Sequence, residues 1–164
     1  MAKKKRYTVK AACPQCGCSG ATVLSKEELH SRYDIYLEQY AKHINIEART
    51  ASQMVRRQFL PAAMLYMTEL GNSIKAAGAA AKVQKAYLAE IGTLVVSADK
   101  NVKIVEKEAE KAHAAAGTEK SAAAFRDKVV PALRTLRADI DALENICPAD
   151  LWPVPTYADL LFKL

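Results

Sequence analysis

The chain has 164 residues, 51% of them hydrophobic and 26% charged, a length and balance that suit one soluble domain with a real core and exclude a largely disordered polymer. Its net charge of +6 hints at nucleic acid, yet five of the 24 basic residues (Lys3, Lys4, Lys5, Arg6 and Lys10) crowd into the first ten positions, and the rest nearly balance the 18 acids. A basic start on a neutral body argues against a nucleic-acid surface; no apolar run reaches the ~18 residues of a membrane span and no hydrophobic signal core comes after the lysines, so the chain reads as cytoplasmic.

Residues 1–24 differ in kind from the rest of the chain, and we read them as a basic, mobile, cysteine-containing leader. Cys13 and Cys16 are separated by two residues, with Gly17 and Cys18 next, as in one half of a zinc ribbon. Structural zinc wants four ligands, and the sequence holds no second pair. Cys18 with His30, or a metal shared between two chains, would have to complete the set; the other reading is a leader whose thiols oxidise easily. No metal site is assigned. Cys147 stands far from the other three, which is not the pattern of a secreted disulfide framework.

A helical domain is expected over residues 25–164. Its first and longest element runs from Ser25 to about Ala77. Leu29, Tyr33, Tyr36, Tyr40, Ile44, Ala48, Ala51, Val55, Phe59, Ala62, Tyr66, Leu70 and Ile74 recur at steps of three and four, which places them on one face of a helix roughly 75 Å long. That face must be covered, and partners for so long a rod must be long helices. Ser25 and Glu28 make a capping box at its start, Gly78 ends it, and Pro61 inside it predicts a kink, because proline lacks an N–H and crowds the preceding turn. A second helix is expected from Val83 to about Ala116, with Tyr87, Ile91, Leu94, Ala98, Val102, Val105, Ala109 and Ala112 inward. Lys103, Glu106, Lys107, Glu110 and Lys111 then form a solvated outer face.

Gly117 and Thr118 suit a cap and a new start. Ala122, Phe125, Val129, Ala132, Leu136, Ile140, Leu143 and Ile146 then repeat to Cys147 in the seven-residue rhythm of coiled-coil-like packing. Pro131 predicts a second kink, and the likeness of Phe59-Leu60-Pro61-Ala62 to Val129-Val130-Pro131-Ala132 suggests that the two bends nest. Pro148 stops this helix. The tail, 148–164, holds Trp152, Pro153, Pro155, Tyr157, Leu160, Leu161 and Phe162, bulky apolar side chains and extended prolines with little periodicity, and such a segment is stable only when docked. It either closes the end of its own bundle or anchors onto a neighbouring domain or subunit.

Reagents for catalysis are thin. His30, His43 and His113 sit on separate turns without a partner histidine or nucleophile, and no glycine-rich loop stands after a strand. Asp139, Asp141 and Glu144 are acidic, but neighbours two apart on a helix do not face each other. Arg56 and Arg57 beside Lys42 and Arg49 could hold an anion, or simply be exposed. No catalytic, cofactor-binding or metal-binding residue is assigned.

Ile-Asn-Ile-Glu-Ala-Arg-Thr (44–50) leading to Phe-Leu-Pro-Ala (59–62), then Val-Val-Pro-Ala-Leu (129–133) and Trp-Pro-Val-Pro-Thr-Tyr-Ala-Asp-Leu-Leu-Phe (152–162), resemble the carboxyl-terminal region of type III glutamine synthetases from Leu24 to Phe162. The family joins ammonia to glutamate through a γ-glutamyl phosphate, with ATP and divalent metal ions in a β-rich catalytic domain, inside large ring-shaped oligomers. By that resemblance the chain is an accessory helical part of a glutamate–ammonia ligase, with the catalytic domain or neighbouring subunits as partners and homo-oligomers expected. The family's metal ligands and nucleotide site map onto no position here, so this chain alone is expected to be inactive. The expected fold is all-α: an elongated antiparallel bundle of three long helices, the first and third kinked, with the proline-rich tail packed back. Two rivals stand beside it, a free-standing helical adaptor whose cysteine-rich basic arm binds nucleic acid and a helical sensor or scaffold unrelated to the synthetase.

Overall fold

The computed structural model describes residues 26–155 together with 160 and 161. Among these there is no strand, and three rods lie side by side. The first rod is α1 (Lys26–Met54), a π turn (Val55–Phe59) and α2 (Leu60–Ala77). A short 3-10 turn, Gly78–Ala80, reverses the chain into α3 (Lys82–His113), which is the middle rod. The third rod is α4 (Thr118–Ala124), a second π turn (Phe125–Val129) and α5 (Val130–Ile146).

Glycine makes both reversals. Gly78 takes φ 58° and donates its N–H to the Ile74 carbonyl, closing α2 where the sequence predicts. Gly117 takes φ 96° before α4, a backbone region that a side chain would strain. Thr118 is the first helical residue, the start the sequence predicts, with Gly117 in the N-cap position; the Gly117 carbonyl accepts from Ser121 N at 3.0 Å, and Ser121 Oγ donates to the Ala112 carbonyl at 2.8 Å, tying α4 to the end of α3. The capping box at Ser25 lies outside the described residues, as do Cys13, Cys16 and Cys18.

The distortion expected at each proline takes a definite form. Both π turns end two residues before a proline, Pro61 or Pro131, and both close with a five-residue hydrogen bond, Leu60 N to the Val55 carbonyl and Val130 N to the Phe125 carbonyl. A wider turn frees the carbonyl that the proline could not pair with and makes room for its ring, so the helix passes through without stopping. The two bends do not nest on one another: the Phe125–Val129 turn is seated mainly against α3 and α1, and the Val55–Phe59 turn leans on α3.

Periodicity names the core well along the middle of each rod. Ala48, Val55, Phe59 and Leu70 from the first, Ile91, Ala98, Val102, Val105 and Ala109 from the second, and Phe125, Val129, Leu136, Ile140 and Leu143 from the third form one buried cluster. The seam is not covered along the whole first rod. Leu29, Tyr33, Tyr36 and Tyr40 belong to the same face, yet they stand 50%, 47%, 68% and 36% exposed. Length explains this: α3 spans about 48 Å at ~1.5 Å per residue, against roughly 75 Å for the rod it must cover. Among the described residues no helix is long and apolar enough to cross a membrane.

Candidate functional site

Two interhelical clefts and the tail hold most of the chemistry in the bundle. The third rod meets the first through α4 and α1, but α5 packs chiefly on α3, so the first and third rods part beyond the second π turn. The gap is a groove of about 350 Å³, floored by Val55, Phe59, Leu133, Leu136 and Ile140 and rimmed by Glu47, Arg137, Asp141 and Glu144.

The tail closes one end of this groove. Cys147 leaves α5 with extended backbone, and the Pro148 carbonyl accepts from Leu151 N and Trp152 N at 3.1 Å each, folding the chain back. Trp152 is thereby buried, its ring stacked on Phe59 at 5.0 Å and 24°. Its indole N–H is also buried and has no acceptor among the described residues, an arrangement that costs free energy and persists because the stack holds the ring in place. Val154 lines the groove, while Pro153 and Pro155 remain exposed beside it. Leu160 and Leu161 are 67% and 76% exposed. Tyr157 and Phe162 lie outside the described residues. Cys147 is buried under the turn, and burial pushes its thiol above the ordinary range, which keeps it an unreactive apolar filler.

A second cleft, about 390 Å³, runs between α1 and α3 and is lined by Arg49, Gln53, Arg56, Arg57, Glu106, Glu110 and His113. Its arginines do not make an anion cradle. Arg56 donates from Nε to Glu106 Oε1 at 2.8 Å and from Nη2 to Oε2 at 2.7 Å, with Asp99 at 3.8 Å from Nη1. That guanidinium holds the Glu106 carboxyl below its usual range, and Glu106 in turn raises Arg56. Lys42 lies apart, paired with Glu38 at 2.7 Å. The periodicity of α3 puts Glu106 on the solvated face; it is instead one half of a clamp between rods, a partnership that no spacing within α3 could reveal. Both side chains are more than a third exposed, so after solvent screening the pair contributes roughly 0.5–1 kcal/mol. Because the folded carboxyl titrates below its unfolded value, that contribution is complete above the unfolded value and is lost as pH falls through the folded one. Glu106→Gln should therefore lower neutral-pH stability by about that amount and flatten the acid limb of a urea-midpoint-against-pH curve.

The acidic residues of α5 are divided between neighbours. Asp139 faces α3, where Ser97 Oγ donates to its two oxygens at 3.1 and 3.0 Å and Asn101 Nδ2 donates to Oδ2 at 2.7 Å. Asp141 lies 3.4 Å from Arg137 and, with Glu144, rims the groove. Sequence reading missed Ser97 and Asn101, although two short polar residues four apart beside a buried row are the signal of such a clamp. Asp139→Ala should cost about 1–3 kcal/mol in chemical denaturation, because it strands two partly buried donors, whereas Asp139→Asn should restore part of the loss. These carboxylates do not fit a divalent ion: Asp139 and Asp141 are engaged by protein donors, and among the described residues no three His, Cys, Asp or Glu side chains gather closely enough to hold one. The three histidines are scattered. His30 lies 3.9 Å from Asp34 near the start of α1, and His113 ends α3.

Comparison with known proteins gives this geometry a context. A family model described as the glutamine synthetase C-terminal domain matches residues 16–78, which include the whole first rod. The chain is 30% identical over 156 residues to a glutamine synthetase of Butyrivibrio fibrisolvens, an alignment covering 87% of this chain and 21% of the relative. It is 28% identical over 157 residues to the type-3 glutamine synthetase of Dictyostelium discoideum, covering 88% and 21%. With a glutamine synthetase of Bacteroides fragilis (strain YCH46) it shares 25% identity over 159 residues, covering 87% and 21%. The chain thus spans about a fifth of the length of the curated relatives it matches.

Proposed function

Because the chain is homologous to the carboxyl-terminal domain of type III glutamine synthetases, we propose that it is an accessory helical module of such an enzyme, with a structural and assembly role and no part in phosphoryl transfer. The module comprises residues 25–164 behind a separate leader, 1–24, and works in the cytoplasm. Its partners are a synthetase catalytic domain and neighbouring subunits, which supply the ATP and divalent-metal sites.

One observation carries this reading. Among the described residues the tail is clamped to the bundle by Trp152 on Phe59, with Val154 against the groove, while Pro153, Pro155, Leu160 and Leu161 are exposed to solvent. An apolar segment anchored at Trp152 and exposed at Leu160 and Leu161 suits a docking arm. Tyr157 and Phe162 complete the set in the sequence. The chemistry agrees: stabilising a transferring phosphoryl group needs clustered metal ions and preorganised cations, whereas here Arg56 is spent on Glu106 and Asp139 on Ser97 and Asn101.

The test is docking in trans. The catalytic portion of a type III glutamine synthetase lacking its matched carboxyl-terminal fifth should retain the chain in a pull-down, and Leu160→Asp with Leu161→Asp should weaken retention by more than tenfold. Retention that the tail substitutions leave unchanged, or none by the unsubstituted chain, would overturn the docking role.

A further inference from the structure

We propose that the uncovered start of α1 is a self-association surface that seats a second copy of this chain in antiparallel orientation. This surface rests on the assembly role above and gives one contact between copies a place.

The stripe Leu29, Tyr33, Tyr36, Tyr40 continues the three-and-four rhythm of the first rod toward its start, and it runs out from Tyr40, level with the beginning of α4, to Leu29. Over the same turns Glu27, Ser31, Asp34, Glu38 and Lys42 fall on the opposite side of the helix. This stretch is therefore amphipathic in its own right, and Leu29, Tyr33 and Tyr36 keep 50%, 47% and 68% of their surface in solvent, while Tyr40, the most covered of the four, keeps 36%. Tyrosine is the residue such a surface favours, since it brings a large rigid apolar body whose hydroxyl tolerates water when the contact is open.

Two features point to a second copy as the occupant. The spacing four, three, four reads the same in both directions. A twofold axis crossing the helix between residues 34 and 35 therefore sets Leu29 against the partner's Tyr40 and Tyr33 against the partner's Tyr36, which is the self-matching that an isologous contact requires. The area also fits: with about 200 Å² per large side chain, the exposed parts come to roughly 400 Å² a copy, and near ~1,000 Å² for the pair once flanking atoms are counted, the lower bound for a specific interface. A contact of that size is weak and reversible in a free chain and is strengthened when other contacts hold the copies together.

Sedimentation of the full chain over a concentration series reads the prediction. The unsubstituted chain should pass from monomer to dimer, and Tyr33→Glu and Tyr36→Lys should each weaken the dimer at least tenfold. Helix content should be unchanged in both, because the side chains are exposed. Mixing the two variants should restore association, since the antiparallel arrangement brings a glutamate at 33 against a lysine at 36 on one side of the axis and leaves the tyrosines paired on the other. A chain monomeric at every concentration, a dimer that either single substitution leaves within twofold, or a mixture no tighter than its components would each overturn the proposal. The tail variant Leu160→Asp with Leu161→Asp separates the two readings. It should abolish docking to the catalytic portion and leave this dimer intact; a dimer lost with the tail but insensitive at Tyr33 would overturn the α1 surface alone.

Discussion

Phe125→Ala is expected to remove about 3–5 kcal/mol of unfolding free energy, the largest effect of any single truncation in the bundle. Phe125 is 1% exposed and opens the second π turn, where α1, α3 and the third rod converge. Its loss would leave a void that cannot close easily, because Pro131 and the Phe125–Val130 hydrogen bond fix the backbone on one side and the Ser121–Ala112 bond fixes it on the other. Whole domains have only ~5–15 kcal/mol in hand. The variant should therefore shift the urea midpoint strongly, and a shift worth less than about 1 kcal/mol would mean that the three rods do not converge there.

Trp152→Ala should cost about 3 kcal/mol and should also loosen everything beyond Pro148. The informative control is Trp152→Phe. A phenyl ring keeps the stack on Phe59 and deletes the buried N–H, which has no acceptor among the described residues, so relief of the unpaired donor offsets lost volume and the net change should be about 1 kcal/mol or less. Amide exchange of Trp152 and Val154 should accelerate in the alanine variant and stay slow in the phenylalanine one. If alanine and phenylalanine were equally costly, the indole N–H would have an acceptor that matters, and the stack would not be what anchors the tail.

Most of the helical core was legible because burial along a rod imposes a three-and-four rhythm on the residues themselves. Val55, Val102 and Leu136 could be placed by counting. Three things could not be counted. Whether a face is covered depends on how far its neighbours extend, so Leu29, Tyr33, Tyr36 and Tyr40 looked buried by period and are exposed by length. Contacts between rods depend on register across helices, which hid Arg56 with Glu106 and Asp139 with Ser97 and Asn101. A proline announces a distortion but not its form; the π turns before Pro61 and Pro131 arise from how the ring's clash is relieved in a packed rod. Docking signals behaved differently within one segment: Trp152 folds onto its own bundle, while Leu160 and Leu161 are exposed.

This polypeptide, on the proposed function, shapes and holds, and turnover is done elsewhere. The most direct measurement is γ-glutamyl hydroxamate formation by the purified chain supplied with glutamate, hydroxylamine, ATP and magnesium or manganese. A rate equal to the blank at every chain concentration is the predicted result. A rate above the blank that grows in proportion to the chain would contradict it.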